Sequence, residues 1–310
     1  MKIVVLDANT LGDDLDLSMF DKLGETVVNM TTSAEQVPER VHDAEVLIVN
    51  KVKLNESNLS GASNLKLICI TATGFDNVDL DYCKANNIAV CNVVGYSTHS
   101  VAQVTLAMAL SLYTHVSEYK RYVDSGEYTK SKVQNHLNPV FHELYGKTWG
   151  IIGYGNIGRQ VAAAAKAMGC NIMPYSRSMG TDLDEVLRKS DIVSVHLPLN
   201  DGTRGLISRE KIALMKNDAI FINVARGAVT DEEALTEAVE NNKLGGLGID
   251  VYAAEPFDEN HAYNRILGRD NVCFTPHMAW GAYEARIRCM ESIYENITAF
   301  YSGEKKNRLV

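Results

Sequence analysis

The sequence predicts an α/β protein of two domains, each organised on a parallel sheet, from three observations. A chain of 310 residues, 46% of them apolar, is long enough for two cores at about 150 residues per domain. Short runs rich in Val and Ile alternate with helix-compatible stretches in two separate series. A glycine turn, Gly153–Gly158, stands between a strand-like run and an Ala-rich helical stretch near the start of the second series.

In the first series the expected strands are Ile3–Leu6, Thr26–Val28, Val46–Val49, Leu65–Ile70 and Ala89–Cys91, with helical stretches at Ala34–His42 and Leu80–Ala85. Ser100–Val116 is the longest helical pattern of the first half; it opens after a Ser/Thr-rich loop that can supply an N-cap, and is expected to cross between domains. Ser117–Lys147 is polar, contains Pro139 and several His and Asn, and reads as a structurally weak surface excursion. The second series predicts strands at Thr148–Ile152, Asn171–Tyr175, Asp191–Val195, Ala219–Asn223, Leu247–Asp250 and Val272–Thr275. Helices are expected between them at Ile157–Met168, Leu183–Lys189, Arg209–Met215 and Glu232–Glu240. A terminal amphipathic helix, Tyr283–Tyr301, is able to pack back on the first domain.

Charge and cysteine usage narrow the function classes. With 30 Lys+Arg against 39 Asp+Glu the net charge is −9 and no basic run stands out, which argues against nucleic acid as a partner. The opening MKIVVLDA is too short an apolar run for a signal-peptide core, and no stretch approaches the ~18 residues of a membrane span, so a cytoplasmic protein without a membrane partner is expected. Six scattered cysteines without a CxxC pair signal neither a disulfide scaffold nor a zinc site, and no metal is expected.

Gly153-Tyr154-Gly155-Asn156-Ile157-Gly158 has the spacing and the strand–turn–helix setting of a dinucleotide fingerprint. Gly153 makes the tight turn, Gly155 lets the backbone approach a pyrophosphate, and Gly158 permits close packing of helix on strand. Free N–H groups and the positive end of the helix dipole then hold the phosphates. An NAD site usually places Asp or Glu about 20 residues further on, to accept from the ribose hydroxyls. Here that position is Ser176, and Ser176-Arg177-Ser178 offers a cation and two hydroxyls without a carboxylate. This suits a 2′-phosphate, so NADP(H) is the preferred cofactor and NAD(H) the possible one.

Three charged residues follow the later strands of the second series: Arg226 in Asn223–Gly227, Glu255 after Gly248–Tyr252, and His277 in Thr275-Pro276-His277. All lie near carboxyl ends of strands, where open α/β sheets bind ligands. Reduction of a 2-oxo acid needs a cation to orient the carboxylate, an acid for the developing alkoxide and a hydride donor. Arg226 supplies a planar fork that cannot lose its proton. An unperturbed imidazole changes its protonation near neutral pH, so His277 can act as the acid, with Glu255 orienting its ring and stabilising the imidazolium. Singly, these are also an ordinary surface cation, a turn residue before proline and a loop histidine; together, in a domain with a nucleotide turn, they make a catalytic trio.

On Ala72–Asp79, the glycine turn, Asn223–Gly227, Gly248–Pro256 and Thr275–His277, the sequence resembles the D-2-hydroxyacid dehydrogenase family nearly from end to end, and is similar to its glycerate dehydrogenase and hydroxypyruvate reductase branch. The resemblance implies a Rossmann-type doubly wound sheet, residues 100–282, inserted into a smaller flavodoxin-like α/β domain made of 1–99 and 283–310. It implies an NAD(P)-dependent oxidoreductase acting on the CH-OH group of donors, a homodimer, and hydride transfer in an interdomain cleft. Its family roles put the substrate carboxylate on amides of Thr73 and Gly74, the nicotinamide carboxamide near Asp250 and Ala225, and the pyrophosphate at Asn156 and Ile157. Lys51 and Trp280 match residues of the same branch near the substrate; an exposed loop lysine and a packing tryptophan are the alternatives. Gln103 stands where the family often carries Glu, and the acid is missing at Ser176.

The substrate expected is hydroxypyruvate or glyoxylate, giving D-glycerate or glycolate, with a D-lactate-type or branched-chain 2-oxo acid reductase as the alternative. Formate oxidation fits less well, because Glu255 stands where that branch resembles a Gln–His pair. A dinucleotide-sensing, co-repressor-like binding protein is the alternative from another class; the complete trio favours an enzyme.

Overall fold

Eleven strands, all paired in parallel, form two sheets in the computed structural model, which describes Met1–Val310. Met1–Ser97 and Gly281–Val310 make one compact unit, and the intervening Thr98–Trp280 makes the other.

The first unit carries β1 (Lys2–Val5), β2 (Glu25–Val28), α1 (Val37–Val41), β3 (Val46–Val49), α2 (Glu56–Leu59), β4 (Leu67–Ile70), α3 (Leu80–Ala85) and β5 (Ala89–Cys91). Its strand order is β2-β1-β3-β4-β5, the flavodoxin-like order. Because successive side chains point to opposite faces, Val4, Leu47, Val49, Ile68, Ile70 and Val90 share one face and bury it under Val37, Val41, Leu59 and Cys83 of the helices. Each fully buried Leu, Ile or Val of this kind contributes roughly 1.5–3 kcal/mol. Asp79 starts α3 by accepting from the amide of Tyr82 at 2.9 Å.

The second unit begins with α4 (Thr98–Thr114), α5 (Val116–Asp124) and α6 (Glu127–Ser131). β6 (Thr148–Ile152), α7 (Asn156–Ala167), β7 (Asn171–Tyr175), α8 (Leu183–Lys189), β8 (Ile192–Val195), α9 (Arg209–Leu214), β9 (Ala219–Asn223), α10 (Glu232–Glu240), β10 (Leu244–Ile249) and β11 (Val272–Phe274) come next. The order is β11-β10-β9-β8-β6-β7, so this sheet repeats the connectivity of the first and adds a sixth strand. Helices cover both faces. α4 and α7 bury Met108, Leu112, Val161 and Ala165 with Trp149, Ile151 and Ile222, while α8, α9 and α10 bury Leu187, Ile212 and Leu235 with Val193, Phe221 and Leu247. A Cβ at Gly246 or Gly248 of β10 would come within 3.3 Å of Leu112 or Met108, so these glycines let α4 lie close on the sheet.

The last helix of the chain, α11 (Tyr283–Tyr301), belongs to the first unit and packs on β4. It buries Ala285, Cys289, Met290, Ile293 and Ile297, and its buried Asn296 donates to the carbonyl of Asn92 at 3.0 Å. No helix is long and apolar enough to cross a membrane.

Two expectations need correction. The long helix ends at Thr114, where His115 adopts φ +53°, and does not continue to Val116. The 117–147 segment is not devoid of regular structure: α5 and α6 occupy its first part. In α5 the residues Val116, Tyr119 and Val123 recur at helical spacing among Glu118, Lys120, Arg121 and Asp124, and the charges conceal the stripe.

Candidate active site

The glycine turn comes directly after β6, the strand flanked by β7 on one side and β8 on the other, which is the position where the connectivity reverses. Gly153 has φ +101° and a Cβ there would lie 2.6 Å from the carbonyl oxygen of His196; a Cβ at Gly158 would lie 2.1 Å from that of Gly153. Both glycines are therefore required by the protein's own backbone. Gly155 is different: its φ is −82° and a Cβ would meet nothing within 4 Å. Nothing in the polypeptide requires glycine there, whereas a pyrophosphate lying on that surface does. α7 starts at Asn156 and Ile157 with no side-chain cap and no acid in its first turn, leaving its positive end for an anion. The turn thus fits a dinucleotide.

Beyond β7, Ser176 and Ser178 lie with their hydroxyl oxygens 3.1 Å apart, and Arg177 between them donates to the carbonyl of Gly202. All three lie in a partly or fully exposed turn that carries no carboxylate.

Arg226, Glu255 and His277 stand after β9, β10 and β11, three adjacent strands. Fully buried Asn223 at the end of β9 shapes the first of these loops: its side chain accepts from the amide of Ala225 at 3.0 Å and donates to the carbonyl of Arg226 at 2.9 Å. The Arg226 guanidinium donates back to Ala225 at 2.8 Å. A Cβ at Gly227 would sit 2.0 Å from the carbonyl carbon of Tyr252, so the Arg226 loop lies directly on the loop that carries Glu255.

Glu255 and His277 meet: Oε2 is 2.6 Å from Nδ1, while Oε1 accepts from the amide of Tyr252 at 2.9 Å. With Nδ1–H given to the carboxylate, Nε2 is the ring atom left to give or take a proton. His277 sits at φ +52°, in the left-handed region that a non-glycine residue rarely adopts. Asp250 clamps the backbone on both sides of it. Its carboxylate accepts from the Thr275 hydroxyl at 2.5 Å, the Met278 amide at 2.9 Å and the Ala279 amide at 3.0 Å. Burial pushes the Asp250 carboxyl above the usual carboxylate range, and these three donors act against the shift.

In the first unit Lys51 and the Thr73–Gly74 turn stand after β3 and β4, which are neighbours. The side-chain amide of Asn77 donates to the carbonyls of Asn50 and Val52 at 3.3 and 3.1 Å, joining the two loops. Trp280, at the other end of the chain's second unit, packs at the margin of the core built around α4 and α7.

Three residues have roles that sequence reasoning missed. Asp7, after β1, is buried and accepts from the amides of Asn50, Lys51 and Val52 at 2.9, 2.6 and 3.1 Å, holding the Lys51 loop in place. Tyr252 contacts both loops of the Glu255–His277 pair. His196 ends a chain of polar groups: Trp149 Nε1 donates to Ser194 Oγ at 3.0 Å, and Ser194 lies 2.9 Å from His196 Nε2. The other ring nitrogen, Nδ1, is buried without a protein partner. Burial lowers this imidazole from 6.5 to about 3. Only the glycine-turn spacing could have pointed to this neighbourhood.

The family model described as D-isomer specific 2-hydroxyacid dehydrogenase, NAD binding domain, matches residues 106–279. A hydroxypyruvate reductase of Blautia hydrogenotrophica is 33% identical, the match covering 99% of each chain. A glycerate dehydrogenase of Methylorubrum extorquens is also 33% identical, over 99% of this chain and 98% of its own. Among solved structures, an acyclic imino acid reductase in complex with NADPH and D-Arg is 28% identical, with both chains covered completely and a TM-score of 0.89. The chain belongs to the D-isomer specific 2-hydroxyacid dehydrogenase family and is an oxidoreductase that uses a nicotinamide dinucleotide to interconvert 2-oxo and 2-hydroxy acids.

Proposed function

We propose that this enzyme reduces hydroxypyruvate or glyoxylate to the D-2-hydroxy acid, with NADPH preferred over NADH. The observation that carries the reading is the 2.6 Å contact of Glu255 with His277, on a loop adjacent to the Arg226 loop at the carboxyl ends of neighbouring strands. The names of the relatives support the choice of substrate. When bound, the dinucleotide supplies the hydride. Arg226 orients the substrate carboxylate and polarises the carbonyl with its fork; Lys51 and the amides of Thr73 and Gly74 hold the carboxylate, and Trp280 walls the substrate. His277 Nε2 gives its proton to the carbonyl oxygen as charge develops there, and Glu255 stabilises the imidazolium beforehand. In the oxidative direction the same nitrogen takes the proton of the 2-hydroxyl.

Gly153, Gly155, Asn156, Ile157 and Gly158 hold the pyrophosphate, and Ala225 and Asp250 the carboxamide. Ser176, Arg177 and Ser178 take the 2′-phosphate, a reading supported by the absence of a carboxylate in that turn and by the NADPH of the solved relative. The enzyme acts in the cytoplasm as a homodimer. Apolar side chains concentrated in the irregular stretch after α6 support self-association: Leu137, Val140 and Tyr145 are 71%, 68% and 77% exposed.

The test is a spectrophotometric panel of hydroxypyruvate, glyoxylate, pyruvate and 2-oxoisocaproate with NADPH and NADH, repeated with an added amine to present the imine. Hydroxypyruvate or glyoxylate should give the highest kcat/KM, with NADPH ahead of NADH. Consumption of neither cofactor with any 2-oxo acid contradicts the reading, and a higher kcat/KM with NADH contradicts the cofactor preference.

A further inference from the structure

Glu255 and His277 lie 22 residues apart on two loops, so their separation depends on what ties those loops together. Two side chains do this besides the pair itself: Asp250, where the first loop leaves β10, and Tyr252, three residues before Glu255. The backbone amide of Tyr252 donates to Glu255 Oε1 at 2.9 Å, and the Tyr252 hydroxyl donates to the carbonyl oxygen of Thr275 at 2.9 Å. That same oxygen receives the amide of His277 at 3.0 Å, closing the tight turn over Pro276 that presents the imidazole. Both lone pairs of the Thr275 oxygen are then used, one by the histidine backbone and one by the tyrosine. The Tyr252 ring is fixed among Phe257, Tyr263 and Phe274, with centroids 4.8, 6.1 and 6.3 Å away, and so acts as a rigid strut. On the other side, Glu232 holds the next amide, that of Ala253, at 3.0 Å and contacts His261 at 2.9 Å.

We infer that Tyr252 is a positioning residue for the acid, its hydroxyl setting the distance between Glu255 and His277 and hence the strength with which the carboxylate holds the imidazolium. The inference rests on the reading of His277 as the proton donor. The groups that face the imidazole are Glu255 in contact and Asp250, whose carboxyl senses its charge. Tyr252 itself is pushed up to about 12 by burial and keeps its proton throughout the working range.

The experiment is Tyr252→Phe, which keeps the ring and removes only the hydroxyl. The His277 ring is titrated by NMR in wild type and variant, beside pH profiles of kcat/KM for hydroxypyruvate. A looser carboxylate contact favours the imidazolium less, so the variant's titration midpoint should fall by about half a pH unit. The alkaline limb of the reduction profile should fall with it, and kcat should drop about 3- to 10-fold with NADPH affinity unchanged. Coincident midpoint and limb in wild type, with neither moving in Tyr252→Phe, overturns the positioning role alone. A wild-type limb that does not track the His277 titration instead overturns the acid on which it rests.

Discussion

β1 and β6 occupy the same place in sheets of the same connectivity, yet the turns that leave them are built differently. After β1 comes Asp7, whose buried carboxylate is consumed by three amides of the chain itself. After β6 comes a turn in which Gly153 and Gly158 satisfy the protein's packing, while Gly155 leaves open space over an uncapped helix start. One turn is closed by an anion the protein carries; the other leaves an uncapped helix start beside open space. The fold provides equivalent positions, and the residue type after the strand decides which becomes a binding site.

The difference predicts opposite outcomes for substitutions at equivalent places. The largest effect is expected at Asp7→Ala, which strands three amides and should cost about 3 kcal/mol in chemical denaturation, with NADPH affinity unaltered. Gly155→Ala should leave stability within about 0.5 kcal/mol of wild type, because the new methyl meets no protein atom. NADPH affinity, measured by fluorescence titration, should nevertheless weaken about tenfold or more, a loss of roughly 1.4 kcal/mol. Normal binding by Gly155→Ala, or a stable Asp7→Ala, would erase the distinction between the two turns.

A smaller effect sharpens the same contrast at the neighbouring strand. The unfolded chain protonates His196 near 6.5, the folded chain only near 3. Below pH 6.5 the unfolded state therefore binds the extra proton, and stability should fall by at most about 1.4 kcal/mol per pH unit as the pH drops. His196→Asn should flatten that part of the stability profile. An unchanged slope would mean that the ring is protonated in the folded protein.

Much of this was legible in the sequence because it depends on local pattern. Val- and Ile-rich runs marked the strands, the glycine spacing marked the tight turn after β6, and Arg226, Glu255 and His277 stood out as charged residues just past apolar runs. The features that stayed hidden depend on partners distant in the chain. Asp7 reads as a polar residue after a strand until the amides of Asn50 to Val52 are seen to converge on it. Tyr252 reads as an aromatic core residue, since its hydroxyl has a function only once β10 and β11 are side by side. The stripe of α5 was masked for a different reason: Val116 and Val123 lie exposed and Tyr119 half-buried among charges, so average polarity outweighed their spacing.

The most direct test of the proton-transfer chemistry is turnover by His277→Ala with hydroxypyruvate and NADPH. Loss of general acid catalysis should lower kcat by on the order of 10²–10⁴-fold while the Kd for NADPH stays within about twofold of wild type. A variant that turns over at nearly the wild-type rate would contradict the assignment of His277 as the acid.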